Sequence, residues 1–125
     1  VLTVGAVVLG VTDIQRAAEF WSAALDYRLR TDGVGGFANT LGPRDGAGTV
    51  IGLQVSETPP PDHPRMHLDL YVADADEQRA EADRLVSLGA SRVDWDSYPD
   101  DPDFILLADP EGNLFCIVDL SHDQG

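Results

Sequence analysis

The 125-residue chain contains no lysine, one cysteine and no apolar run near the roughly 20 residues that a bilayer span requires. With Cys116 alone, an internal disulfide is excluded, and a reducing, cytoplasmic setting is the expectation. All eight basic residues are arginine, set against 22 acids for a formal net charge of −14. No basic cluster exists to neutralise phosphates, so neither nucleic acid nor membrane is expected as a partner. The opening "VLTVGAVVLG" is apolar but has no basic flank and runs into a helix-capping signal, which argues against a signal peptide. Acidity of this kind serves solubility, and it also attracts cationic ligands.

What is present is strongly patterned. Leu2 to Gly10 reads as an apolar strand, followed by "VTDIQ" with Thr12 or Asp13 as N-cap and Gln15 as a capping-box partner of Thr12. Ile14, Ala17, Ala18, Trp21, Ala24 and Leu25 then fall on one helical face. The segments "YRLRTD", "GGFANTL" and "TVIGLQVSE" predict three strands separated by glycine turns, and "TPPPDHP" predicts a semi-rigid linker. The pattern then restarts. "MHLDLYVAD" is a strand, Asp74 caps a helix with Glu77 three residues on, Ala82, Leu85 and Leu88 form its stripe, and Gly89 ends it. "SRVDWD", "FILLAD" and "NLFCIVD" predict three more strands, with "DPEGN" a turn.

Element order is therefore βαβββ twice. Val7, Leu9, Val11 and Asp13 correspond to Leu68, Leu70, Val72 and Asp74 at a constant offset of 61, the mark of a duplicated unit. The expected fold class is α+β with two tandem βαβββ modules in a single domain: module one 1–56, linker 57–65, module two 66–120 and tail 121–125. Because the helix-facing residues match, the opposite faces match too. Ala6, Val8 and Gly10 stand where the second module has His67, Asp69 and Tyr71.

"GVTDIQRAAEFWSAAL", "HLDLYVAD" with a helix ending in "LGA", and "LADPEGNLFCIVD" together resemble the vicinal oxygen chelate superfamily. That superfamily includes glyoxalases, bleomycin-resistance proteins and ring-cleaving dioxygenases, and the resemblance is to its glyoxalase-like branch. It implies sheets curled around a cleft, a homodimer and, in metal-using members, four ligands from matching strand positions. Carried over residue by residue, the first histidine falls on Ala6, the first glutamate on Gln54, the second histidine on His67 and the last glutamate on Cys116. Three of the four depart from the pattern, and one imidazole with an amide and a thiol suits neither magnesium nor manganese.

No metal or cofactor is therefore expected, and the fallback set, were a metal recruited, is Gln54, His67 and Cys116. His67 is either a ligand-binding and acid–base residue or a relic imidazole satisfied by its neighbours. Asp69, two residues along the same face, either orients His67 or makes a structural hydrogen bond. Cys116 reads as a small buried hydrophobe rather than a nucleophile. Phe37 and Asn39 share a face from which Phe37 could stack on a flat ligand. Trp21 belongs to the core, "DWDSYPDDPD" reads as a solvated rim loop, and His63 and His122 read as exposed. The expected cleft is lined by Val4, Ala6, Val8, Val50, Gln54, His67, Asp69, Tyr71, Leu114 and Cys116. The function this implies is binding or sequestration of a small organic ligand without a metal, or its conversion by acid–base chemistry through His67 and Asp69. The alternatives are a divalent-metal lyase or dioxygenase and a non-catalytic dimer with a vestigial cleft.

Overall fold

The computed structural model describes residues 1–30 and 39–122. The chain divides into two compact units, Val1–Pro59 and Pro60–Gly125. In the first, β1 (Val7–Val11), α1 (Ile14–Leu25), β2 (Tyr27–Arg30), β3 (Thr40–Pro43) and β4 (Ile51–Val55) form a four-stranded sheet in the order β1-β4-β3-β2. The second repeats this with β5 (Leu68–Val72), α2 (Ala75–Leu88), β6 (Ser91–Arg92), β7 (Phe104–Ala108) and β8 (Leu114–Asp119), in the order β5-β8-β7-β6. In each unit the first and last strands pair in parallel and the other pairs are antiparallel. The strand bounds of β1 and β5 and the caps Asp13 and Asp74 stand at the offset of 61 read from the sequence.

Local chemistry accounts for both helices. Asp13 is the N-cap of α1 and accepts from the Arg16 N–H at 3.1 Å. Thr12 is not the cap, and Gln15, expected as its partner, reaches forward to the Glu19 carboxylate instead. Asp74 accepts from Glu77 N–H at 2.8 Å while Glu77 reaches back to Ala73 N–H at 2.8 Å, so donors on both sides of the cap are satisfied. Gly89 stops α2 at φ 125°, where a β-carbon would be strained, and its N–H donates to Leu85 and Val86 carbonyls.

Each helix covers one face of its own sheet. Ala17, Phe20, Trp21 and Ala24 bury α1 against β3 and β4, with the Phe20 and Trp21 rings edge to face at 5.1 Å. Ala82 and Leu85 of α2 are buried in the unit that also buries Leu107, Phe115 and Ile117. Gln78 is the polar exception, and its amide donates to the Asp103 and Ile117 carbonyls at 3.1 and 2.9 Å.

Two expectations are corrected. The first strand begins at Val7 rather than Leu2, and Val1, Leu2 and Val4 are exposed. Of the strand expected in "GGFANTL", residues 35–38 lie outside the described residues, and Thr40 and Leu41 are strand. "SRVDWD" keeps only Ser91 and Arg92 as strand, because Trp95 leaves the ladder to donate its indole N–H to the Asp62 carbonyl. The "DPEGN" turn forms as expected. Asp109 accepts from Glu111 and Asn113 N–H groups, and Gly112 supplies φ +86°.

Candidate functional site

The face of the second sheet turned away from α2 is a checkerboard set by strand register. Asp69 lies beside Cys116 and Tyr71 beside Val118 across β5 and β8, while Leu106 and Phe104 lie beside Cys116 and Val118 across β7 and β8. With His67, Trp95, Asp103 and Leu114, these residues line a cavity of about 490 Å³ that belongs wholly to the second unit. It is an apolar and aromatic hollow with one polar corner.

That corner is a contact between three side chains. His67 Nε2 lies 3.0 Å from Asp69 Oδ1, and both side chains are partly open to solvent, at 41% and 44%. Cys116 is 6% exposed and its thiol donates to Asp69. Burial, then the charge and hydrogen bond of Asp69, then the charge of Asp103, push the thiol up from 9.0 to about 12. The thiol is therefore neutral at physiological pH and is not a nucleophile.

The aromatic wall comes from the segment read as a solvated rim. Trp95 stands at right angles to Tyr98 (5.8 Å, 85°), and Tyr98 stacks on Phe104 at 5.1 Å. The Tyr98 hydroxyl accepts from Leu106 N–H at 2.6 Å, on the side of β7 that the short β6 leaves open. Asp103 is fixed through its carbonyl, which takes hydrogen bonds from Gln78 and from the Asp119 N–H. His63 is not idle either: Nε2 contacts Asp96 at 2.8 Å and Ser97 at 3.1 Å, and its ring lies over Trp95. His122, expected to be exposed, is only 22% so and pairs with Asp101. Sequence reasoning missed Trp95 and Asp103; the alternation of Phe104 and Leu106 in "FILLA" was the available signal for this wall.

Other expected site residues fall elsewhere. Val4, Ala6, Val8, Asn39, Val50 and Gln54 belong to the first unit and do not line this cavity, and Phe37 lies outside the described residues. Register also reassigns Gln54. In the first unit Val8 pairs with Gly52 as Asp69 pairs with Cys116, so Gly52 is the counterpart of Cys116. Gln54 pairs with Gly10 and corresponds to Val118.

The donor atoms of His67, Asp69 and Cys116 lie within 4.8 Å of one another, close enough to reach one ion. Their chemistry does not fit the divalent centre of the superfamily. That centre needs several charged oxygen and imidazole donors, whereas the cluster here offers one imidazole and one carboxylate beside a thiol.

Two matching βαβββ units, each with a parallel outer pair and a helix on one face, define the architecture of the glyoxalase, bleomycin-resistance and dioxygenase superfamily. Residues 6–118 match the profile of the glyoxalase-like domain family, and the chain belongs to that family. Its fold is similar to a glyoxalase/bleomycin resistance protein/dioxygenase family enzyme from Burkholderia phytofirmans PsJN (TM-score 0.71, 16% identity, covering 93% of this chain and 97% of that one). It is similar to the fosfomycin resistance protein FosX from Listeria monocytogenes (0.69, 14%, covering 99% and 97%). It is also similar to TnmS3, an antibiotic binding protein from Streptomyces sp. CB03234 (0.63, 24%, covering 95% and 96%). A comparison with curated protein sequences finds no match.

Proposed function

We propose that this protein binds and sequesters a small organic molecule in the cavity of its second module, without a metal. The observation that carries the reading is the cavity itself. It holds about 490 Å³, has an apolar and aromatic wall, and places His67, Asp69 and Cys116 together at one corner. Its aromatic wall is held in place by hydrogen bonds from Trp95 and to Tyr98, so little ordering accompanies binding. The likeness to TnmS3 supports the same reading, since that protein is an antibiotic binding protein. The protein acts as a homodimer in the cytoplasm, where its one buried thiol stays reduced.

Screening the protein against metabolites and drug-like compounds by thermal shift tests this directly. A specific ligand at 100 times its Kd stabilises the fold by about 2.7 kcal/mol through mass action. Silence across the screen would favour a vestigial cavity. Sedimentation velocity reads the oligomeric state.

A second reading has its own observation, the 3.0 Å contact of His67 with Asp69. A carboxylate against an imidazole orients the ring, which suits His67 to take a proton from a bound substrate. Conversion of the ligand that His67→Gln abolishes while binding persists would establish this chemistry; an unaltered ligand after prolonged incubation would exclude it.

A further inference from the structure

We infer that the ligand of this cavity is an aromatic or apolar body bearing a protonated amine, its ammonium seated on Asp69 and its body against Trp95, Phe104 and Leu106. The inference rests on the small-molecule reading above and names the class of molecule. Two carboxylates, Asp69 and Asp103, are among the lining residues, and no arginine is. Lysine is absent from the chain altogether. Arg44, Arg79, Arg84 and Arg92 pair with Asp26, Asp76, Glu81 and Asp83, none of which lines the cavity. Among the described lining residues the hollow therefore has two carboxylates and neither arginine nor lysine.

Asp69 has room for a guest. An ionised carboxylate offers about four acceptor positions. His67 and the Cys116 thiol take two. The carboxylate is 44% exposed, so an ammonium reaching it keeps part of its hydration while gaining a charge-assisted hydrogen bond. Asp69 and Asp103 both line this one cavity. An anionic ligand would meet both.

The rest of the wall favours a ring. Trp95 and Phe104 stand edge to face at 6.2 Å and 72°. Trp95 is pinned by its indole hydrogen bond to Asp62 and by His63. A fixed indole beside a carboxylate attracts an aromatic ammonium twice, through its body and through cation–π attraction.

The test uses three probes of one shape: 1-naphthylmethylamine, 1-naphthalenemethanol and 1-naphthoate, titrated into the full chain by calorimetry at pH 7. The amine is expected to bind on the order of tenfold more tightly than the alcohol, the scale of one partly solvated charge-assisted hydrogen bond, with the carboxylate weakest. Asp69→Asn is expected to erase the preference for amine over alcohol, read as the ratio of the two affinities within the variant. Trp95→Phe lowers the affinity for all three, and most for the amine. Fosfomycin, a phosphonate, is expected to give no heat. Alcohol binding as tight as amine binding, a preference that survives Asp69→Asn, or a fosfomycin heat would each overturn the amine assignment and leave the small-molecule reading standing. Absence of binding by all three naphthalenes would sink both.

Discussion

Alkylation of Cys116 is the most direct probe of the polar corner. A thiol pushed up from 9.0 to about 12 carries, at pH 8, about one thousandth of the thiolate of an ordinary cysteine. Only the thiolate reacts, so iodoacetamide should label the native chain about a thousandfold more slowly than the chain unfolded in urea, before steric burial slows it further. The rate should still climb with pH at pH 10, where an ordinary thiol has levelled off. Asp69→Asn removes the carboxylate that accepts the S–H and repels the thiolate, leaving burial and Asp103 in place. Labelling is then expected to rise about tenfold, the scale of losing one partly screened charge. Intact-mass spectrometry over a time course reads both rates. A native rate that levels off near pH 9, or one indifferent to Asp69→Asn, would refute the contact between the two side chains. The same thiol couples stability to alkali. Between pH 9 and 12 the native state keeps a proton that the unfolded chain loses, so stability is complete below pH 9 and falls as pH rises. Tyr27, whose pKa is raised by burial and then by the charge of Asp45, acts in the same direction. The alkaline fall in melting temperature should therefore shrink, not vanish, in Cys116→Ala.

Asp74→Ala removes the reciprocal cap of α2 and should cost about 1 kcal/mol, read from urea denaturation. Gln78→Leu strips the carbonyls of Asp103 and Ile117 of a shared donor and should cost about 1–3 kcal/mol in the same assay. Treatment with EDTA should leave ligand-induced thermal shifts unaltered. Stoichiometric zinc that survives desalting and disappears in His67→Ala would instead show that the three donors are a metal site.

The repeat was legible because packing writes it on one face. Val7, Leu9 and Val11, like Leu68, Leu70 and Val72, alternate with residues that need not be apolar, and both triplets end at an aspartate cap. The histidine–carboxylate pair was legible for the same reason, since a strand puts residues i and i+2 on one side. The aromatic wall was not. Trp95 and Tyr98 sit in a stretch of aspartates and prolines whose composition says loop, and nothing local says that the loop is tied to the Asp62–His63 segment more than 30 residues earlier. Gln54 was misaligned with Cys116 because the offset between the modules, 61 at their first strands, grows to 64 at their last, from Gly52 to Cys116. Only the pairing register shows that Gly52 is the equivalent residue.

The same face argument makes a sharper prediction in the first module. Val8 stands where the second module has Asp69, on the side of the sheet away from α1, and is 38% exposed. Gly10, the counterpart of Tyr71, is closed over by Ser56, whose β-carbon lies 2.9 Å from where a side chain would begin. Val11 lies on the helix side and is 2% exposed. A carboxylate at Val8 keeps access to water, so Val8→Asp should cost no more than about 1 kcal/mol. The same substitution three residues later, Val11→Asp, buries a charge without a partner among apolar neighbours and should cost at least about 4 kcal/mol. Urea denaturation of the two variants side by side reads the difference. In both sheets the helix-facing residues are held by packing while the opposite face is less constrained, which is why His67, Asp69 and Cys116 of one copy can stand opposite Ala6, Val8 and Gly52 of the other. Equal losses in Val8→Asp and Val11→Asp would show that both faces of the first sheet are packed as core.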